Sequence, residues 1–311
     1  MMDPSVELSV SAITDWKISL DRPHDAIQFP GPSRVSQELY GFVEDLACAV
    51  READPGEPES GFSVTCHGFQ YRAQQADFDR YHLRLKKQRL WKLKDLRFKQ
   101  EHIDLLMADD LRRRGGLVLV SGPPGSGKTT TAATVIGARL SNYGGYALTL
   151  EDPPEDPLAG WHVDDNGKER GYCDQLSVKR GDYQEAIARG LRLFPSKERA
   201  MLFVGEIRDP DTAAELLRIS VGGYLTFATL HANGIDETVQ RLINLAREKV
   251  GDAEARNLLA NSLRLCVNQR LEHNVAQVSI LEIDQTAAAM IRDPNKPLNL
   301  SGRAEIRPRP V

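Results

Sequence analysis

Val118-Leu-Val-Ser-Gly122-Pro123-Pro124-Gly125-Ser126-Gly127-Lys128-Thr129-Thr130 is the stretch on which the fold turns. It matches the P-loop pattern G-x-x-x-x-G-K-[ST], with an apolar strand before it and a helix-competent stretch behind it. Gly122, Gly125 and Gly127 let the backbone turn tightly, so that N–H groups between Gly122 and Thr130 face phosphate oxygens. Lys128 then reaches the terminal phosphates, and the Thr129 hydroxyl is placed to ligate Mg2+. A helix starting near Lys128 turns its positive end towards the same anion. The segment reads as a binding loop for a nucleoside triphosphate, against the alternative of a glycine-rich turn that binds nothing.

Outward from this loop, the bulk properties set limits. A chain of 311 residues suggests about two domains. Its 41% apolar and 27% charged residues suit a soluble globular protein with a proper core. No run approaches the ~18 apolar residues of a membrane span, and the N-terminus lacks the basic-then-apolar pattern of a secretory signal. Cys48, Cys66, Cys173 and Cys266 are scattered without a C-x-x-C pair, so neither a zinc module nor a disulfide framework is expected, and a reducing cytoplasm is the simplest location. A net charge of −4 argues against a direct nucleic-acid partner. The sign is uneven, however. Arg80 to Lys99 is rich in Arg and Lys, and Arg112-Arg-Arg114 follows. Most of this is a solvated face; a few residues are candidates to reach a neighbouring subunit's nucleotide.

Along the chain, residues 1–34 contain Pro23, Pro30 and Pro32 without strong periodicity and read as an irregular N-terminal arm. Ser36 can cap a helix whose apolar face is Leu39, Phe42, Val43, Leu46, Ala47 and Val50. A loop from Asp54 to Gly61 and strand-like runs at Phe62–Thr65, Phe69–Ala73 and Tyr81–Leu85 complete a small α+β domain, residues 35–98. A second domain, residues 99–292, opens with a helix carrying Ile103, Leu106, Met107 and Leu111 and stopped by Gly115. Apolar strands follow at Leu117–Val120, Tyr146–Leu150, Met201–Val204, Tyr224–Thr229 and Val278–Ile283. Between them lie helical segments at Gly181–Leu193 and Asp209–Ile219, the second capped by Asp209 with Pro210 behind it. Two further helical stripes are Ile235, Val239, Leu242, Ile243, Ala246 and Ala255, Leu258, Leu259, Leu263, Cys266. Strands alternating with helices predict an α/β domain with a largely parallel sheet. Residues 293–311 read as a tail.

Hydrolytic groups must lie at strand tips beside the P-loop. Leu150-Glu151-Asp152-Pro153-Pro154-Glu155 follows one apolar strand, Leu202-Phe-Val-Gly-Glu206-Ile-Arg208-Asp209 ends a second, and Phe227-Ala-Thr229-Leu-His231-Ala-Asn233 ends a third. Acids there can hold Mg2+ through water or orient an attacking water, and His231 or Arg208 can meet the γ-phosphate. Each tip alone has an ordinary structural reading, as a helix cap or a satisfied polar group. The ordered set of P-loop, acid, acid and His makes the catalytic reading the better one.

With these motifs the chain resembles the secretion ATPases that power type II secretion, type IV pilus assembly and retraction, and type IV secretion and conjugation. That family carries a Walker A loop, an E-D-P-x-E Asp box, a G-E-x-R-D Walker B and a T-L-H-x-N His box. Here they match Gly122–Thr129, Glu151–Glu155, Gly205–Asp209 and Thr229–Asn233, and Leu265-Cys-Val-Asn-Gln-Arg-Leu271 resembles the family's Q-R-L segment. The resemblance runs from about residue 60 to 292. The pilus-retraction branch is the most similar through Ala288-Ala-Met-Ile-Arg-Asp. The chain departs from it in an insertion, Leu158–Tyr172, and in the run Gly190–Ala200, so a conjugation-type or type IVb secretion ATPase stays open.

The resemblance implies a RecA-like P-loop ATPase domain behind a smaller PAS-like α+β domain, ATP and Mg2+ as ligands, and Thr129 and Glu206 as metal contacts. Glu206, Glu151, His231 and Arg208 become the catalytic candidates, with the general-base role open between Glu151 and Glu206. It also implies a homohexamer in which an arginine outside the subunit's own P-loop domain completes the site; Arg72 and Arg84 are the candidates by alignment. The implied partner is an inner-membrane platform protein of a pilus or secretion machine. The implied location is the cytoplasm at the inner face of the inner membrane, with peripheral membrane association only through partners. A ring translocase acting on nucleic acid is the rival reading; the acidic balance and the lack of an aromatic-plus-basic strand-binding segment stand against it. A nucleotide-binding subunit without catalysis would lack an acid, whereas Glu151 and Glu206 are both present.

Overall fold

The computed structural model describes residues 3–56, 61–87, 89–178, 182–196, 200–273 and 275–303. Parts of the expected 54–61 loop, the helix start at Gly181, the run before Ala200 and the tail beyond Arg303 lie outside these residues. The chain divides into two compact units, Met1–Arg89 and Leu90–Val311.

The first unit contains α1 (Pro4–Ser11), β1 (Asp15–Ser19), β2 (Ile27–Phe29), β3 (Ser33–Arg34), α2 (Tyr40–Ala53), β4 (Phe62–Cys66), β5 (Phe69–Asp77) and β6 (Arg80–Leu85). Its antiparallel sheet has the order β3-β2-β1-β6-β5-β4. Residues alternate in and out along each strand. Trp16, Ile18, Val64, Tyr71, Ala73 and Leu83 are buried in one core with Phe42, Val43, Leu46 and Val50 of α2. The other alternation set includes Arg72 and Arg84, directly opposite each other on β5 and β6.

The second unit contains α3 (Gln100–Met107), α4 (Asp109–Arg114), β7 (Gly116–Ser121), α5 (Lys128–Tyr143), β8 (Gly145–Glu151), β9 (Gly160–Val163), β10 (Glu169–Ser177), α6 (Tyr183–Gly190), β11 (Ala200–Val204), α7 (Pro210–Val221), β12 (Leu225–Leu230), α8 (Ile235–Val250), α9 (Asp252–Ser262), β13 (Leu263–Glu272), β14 (Val275–Glu282) and α10 (Gln285–Arg292). Its eight-stranded sheet has the order β14-β13-β7-β12-β11-β8-β10-β9. Six neighbouring strands, β13 to β10, are parallel, and β14 and β9 are antiparallel edges. Both faces are covered, which is why the strands read as unbroken apolar runs. Leu117 and Leu119 pack with α7, α8 and α9, whereas Val118 and Val120 pack with α5 and α3. Truncating a residue such as Leu119, which is fully buried, would cost ~2–5 kcal/mol.

The structure corrects several expectations. Residues 1–34 are not an irregular arm: β1 is an interior strand, and its Trp16 and Ile18 are fully or almost fully buried. Three prolines and short strands hid an alternation only five residues long. The unit boundary falls at Arg89 rather than residue 98, because Leu90, Leu93 and Phe98 pack on the second unit's core. The expected helix over 103–111 is two helices, broken at Ala108, which takes extended backbone at ψ 131°. Ser36 precedes a short 3-10 turn and makes no side-chain cap, and α2 starts at Tyr40. The apolar stripe running on to Cys266 is not one helix, since α9 stops at Ser262 and Leu263 opens β13. Part of the insertion forms β9 and the start of β10. The first part of the expected tail packs on the second unit's core: Leu300 is fully buried and its N–H donates to Asp236.

Candidate active site

Four parallel strands, β7, β12, β11 and β8, lie side by side in that order, so the loops at their C-terminal ends share one edge of the sheet. Open α/β sheets bind ligands at that edge. Gly122 leaves β7 at φ +153°, and a Cβ there would fall 2.0 Å from the Gln269 carbonyl oxygen and 2.6 Å from Ser126 Oγ. Only glycine fits. Pro124 and Gly125 form the exposed tip, Pro123 and Gly127 are half-buried, and Ser126 is buried. Lys128 is the first residue of α5, with half-buried Thr129 and Thr130 behind it on the opening turn. The N–H groups at that helix start are the ones an anion would meet.

Lys128 is only 7% exposed. Its Nζ donates to the Pro123 carbonyl at 2.9 Å and meets His231 Nδ1 at 3.1 Å. Burial lowers its pKa below the ordinary lysine value, and Glu206 and Glu155 oppose that shift. His231 follows the end of β12, and its Nε2 lies 3.0 Å from Glu206 Oε1. Arg208 Nη2 holds the other oxygen of Glu206 at 2.6 Å, which raises the arginine's pKa. These partners assign the tautomer: the proton sits on Nε2 and is donated to Glu206, leaving Nδ1 to accept from Lys128. The result is one chain of contacts, Lys128–His231–Glu206–Arg208. Thr229 of β12, two residues before His231, donates its hydroxyl to the Gly205 carbonyl.

Glu151 ends β8 and is 2% exposed. The Gln175 amide donates to its Oε1 at 2.9 Å, while Oε2 is buried with no partner among the described residues. Burial pushes this carboxyl up to about 7, with the Gln175 and Thr149 side chains working against the shift. A buried carboxyl with a pKa near neutrality suits proton transfer. Gly205 keeps it close: its N–H donates to the Leu150 carbonyl at 2.8 Å, and a Cβ on it would press to 3.1 Å from Glu151 Cγ.

The structure thus joins Lys128, His231, Glu206 and Arg208 directly and sets Glu151 beside the Glu206 loop. Arg72 and Arg84 belong to the first unit, where Arg84 Nε pairs with Asp15 at 2.9 Å. Sequence reasoning missed the groups that brace the site. Buried Gln269 of β13 donates from Nε2 to the Ser126 carbonyl at 2.6 Å and accepts from Thr131 Oγ1 at 2.8 Å, so it clamps the P-loop to the first turns of α5. Asn268 donates to Ser121 Oγ at 2.9 Å and to the Ala232 carbonyl at 3.1 Å, tying the P-loop strand to the His231 loop. Arg241 donates to the His231 carbonyl at 3.0 Å. The available signal was the run Leu265-Cys-Val-Asn268-Gln269, an apolar strand ending in polar groups like the other tips.

The family model for type II/IV secretion system proteins matches residues 80–302. YggR, an uncharacterized protein of Escherichia coli K12, is 35% identical over 162 residues, covering 52% of this chain and 46% of that protein. A twitching motility protein of Neisseria gonorrhoeae is 34% identical over 157 residues, covering 50% of this chain and 39% of that protein. The alignments therefore span less than half the length of these relatives. The crystal structure of the pilus retraction motor PilT with bound ADP matches with a TM-score of 0.69 over 94% of this chain and 86% of its own, at 22% identity. That likeness supports the fold: a RecA-like P-loop domain with a smaller α+β domain before it. With the family model spanning most of its 311 residues, from the end of the first unit through every strand tip of the site, the chain belongs to the type II/IV secretion system protein family.

Proposed function

We propose that this protein is a Mg2+-dependent ATPase, a homohexameric motor that powers a type IV pilus, secretion or conjugation machine. The observation that carries the reading is the Lys128–His231–Glu206–Arg208 chain at the strand ends behind a complete P-loop. ATP seats its phosphates against the N–H groups of Gly122 to Thr130. Lys128 exchanges His231 for phosphate oxygens. The imidazole, relieved of Lys128, takes a proton from solvent at Nδ1 and donates it to the γ-phosphate. Glu151 takes a proton from the attacking water as the water oxygen bonds to the γ-phosphorus. The bond to the β–γ bridging oxygen breaks and its electron pair leaves with ADP.

Among the described residues no group of three or more His, Cys, Asp or Glu could cage a metal. That suits an ion held by phosphate oxygens, water and few protein ligands. The Thr129 hydroxyl and Glu206, through water, would hold it, and Mg2+ when bound neutralises β/γ-phosphate charge. Arg72 or Arg84 of an adjacent subunit completes the site in a ring, with Arg80 as a further candidate. No described helix is long and apolar enough to cross a membrane, which is compatible with docking on an inner-membrane platform protein from the cytoplasmic side.

Turnover of purified protein, measured with Mg2+ and ATP alongside sedimentation, tests the reading. Specific activity should rise with protein concentration as the ring forms. Mixing Arg84→Ala with Lys128→Ala subunits should restore part of the activity if Arg84 acts in trans. Concentration-independent turnover by a monomer would end the ring model, and absence of turnover at any concentration would end the ATPase reading.

A further inference from the structure

The opposite edge of the second unit's sheet holds a cavity of about 670 Å3, within the size range of small-ligand pockets. Its walls come from Arg112 and Arg113 on α4, Arg139 and Tyr143 on α5, and the opening residues of β8, β11 and β12. Among the described residues, none that line it is acidic. The site described above lies at the other ends of these strands, so the cavity is separate from the P-loop.

Arg139 is 1% exposed. Its Nη1 donates to the Leu106 carbonyl at 2.9 Å and to the Ala108 carbonyl at 3.3 Å, and its guanidinium lies over the Tyr143 ring at 5.2 Å. Nη2 has no hydrogen-bond partner among the described residues. Burial pulls the guanidinium down to about 10, so it stays cationic at neutral pH. Tying down helix-end carbonyls accounts for Nη1 and leaves Nη2 unexplained. A buried donor with no acceptor is costly. Arg113, at the rim, is 69% exposed and pairs with Asp109, which also accepts from Arg112. Ala200, Met201 and Leu225 supply apolar wall, and Tyr224, 37% exposed, supplies a ring. Guanidinium forks match phosphate oxygens in geometry and charge, while an aromatic and aliphatic wall suits a flat apolar group.

We propose that this cavity is a second anion site, taking the phosphate of a small phosphorylated ligand that carries a planar ring. Arg113 trades Asp109 for the phosphate at the rim, over the buried positive charge of Arg139, and the ring lies against Tyr224. The inference does not rest on the motor reading.

The test uses the full chain carrying Lys128→Ala, which silences the P-loop, and titrates pyrophosphate, AMP and adenosine by calorimetry. AMP should bind one per chain, pyrophosphate more weakly, and adenosine without measurable heat. Adding Arg113→Gln should weaken AMP at least about tenfold. The same Arg113→Gln in the otherwise native chain should leave thermal unfolding and ATP turnover unchanged. Arg139→Lys, where it folds, should also weaken AMP. No binding of AMP or pyrophosphate, or binding indifferent to Arg113→Gln, would overturn the proposal. So would a glutamate-rich peptide displacing AMP at lower concentration, because the cavity would then be a dock for an acidic protein segment.

Discussion

At the C-terminal ends of the strands, Lys128, His231, Glu206 and Arg208 satisfy one another in sequence. At the opposite ends, Arg139 is buried with one nitrogen unmatched among the described residues, and Arg113 pairs with Asp109 at the rim. The first arrangement offsets the desolvation of its charges by mutual pairing and can be opened by a ligand that trades partners. In the second, Arg113 must release Asp109 to take a ligand's phosphate, while the buried Arg139 charge stays in place. The two ends differ in what a ligand would displace, and substitutions at the two ends should separate them.

The widest gap is expected between Lys128→Ala and Arg113→Gln. Loss of the P-loop lysine should cut ATP turnover by about 10³-fold or more, whereas the rim arginine should leave it within about twofold. Steady-state assays on both purified variants check this. Equal losses would merge the two ends into one site.

Glu151→Gln should bind ATP but turn over at least about 10²-fold more slowly, the scale for losing a positioned base. In the wild type, turnover should fall as pH drops through about 7, because the Glu151 carboxyl is pushed up to that value by burial and protonation removes the base. The residual activity of the variant should lack this limb. A wild-type profile that stays flat down to pH 5 would move the base role to Glu206.

The same carboxyl makes a stability prediction. Its folded pKa of about 7 exceeds its ordinary value of 4.5, so between those values the folded state binds more protons than the unfolded state. Its contribution to stability therefore falls as pH rises through that window. At pH 8 Glu151→Gln should be more stable than wild type by on the order of 1–3 kcal/mol, and the difference should shrink towards zero below pH 4.5. Denaturant unfolding at both pH values measures it.

Gln269→Ala should have a smaller effect, raising KM for ATP about tenfold with a lesser change in kcat, since Gln269 touches the loop rather than the substrate. A loss confined to kcat would contradict the clamp.

Sequence legibility followed the same division. Gly122 to Thr130, Glu151, Glu206 and His231 were readable because each follows an apolar run and lies in a short contiguous motif. Gln269 was not, because its stretch continued an apolar stripe that also fits a helix; only pairing of Leu263–Asn268 with β7 makes it a strand. Trp16 and Ile18 were missed for a related reason: an alternation of five residues is too short to stand out until neighbouring strands flank it. The arginine cavity has no sequence signal, since α4, α5 and the openings of three strands contribute one or two residues each.

By itself, the sequence determined the P-loop, the order of acid and His tips, and an α/β fold, because these depend on local periodicity and on residues adjacent along the chain. Only the tertiary structure decided the rest. It set which tips stand beside β7, which oxygen of Glu206 meets His231, and why Glu151 titrates near neutrality. It also set what braces the P-loop and where Arg139 is left unmatched. Each of these is fixed by burial and by partners distant in sequence, and neither exists until the sheet has formed.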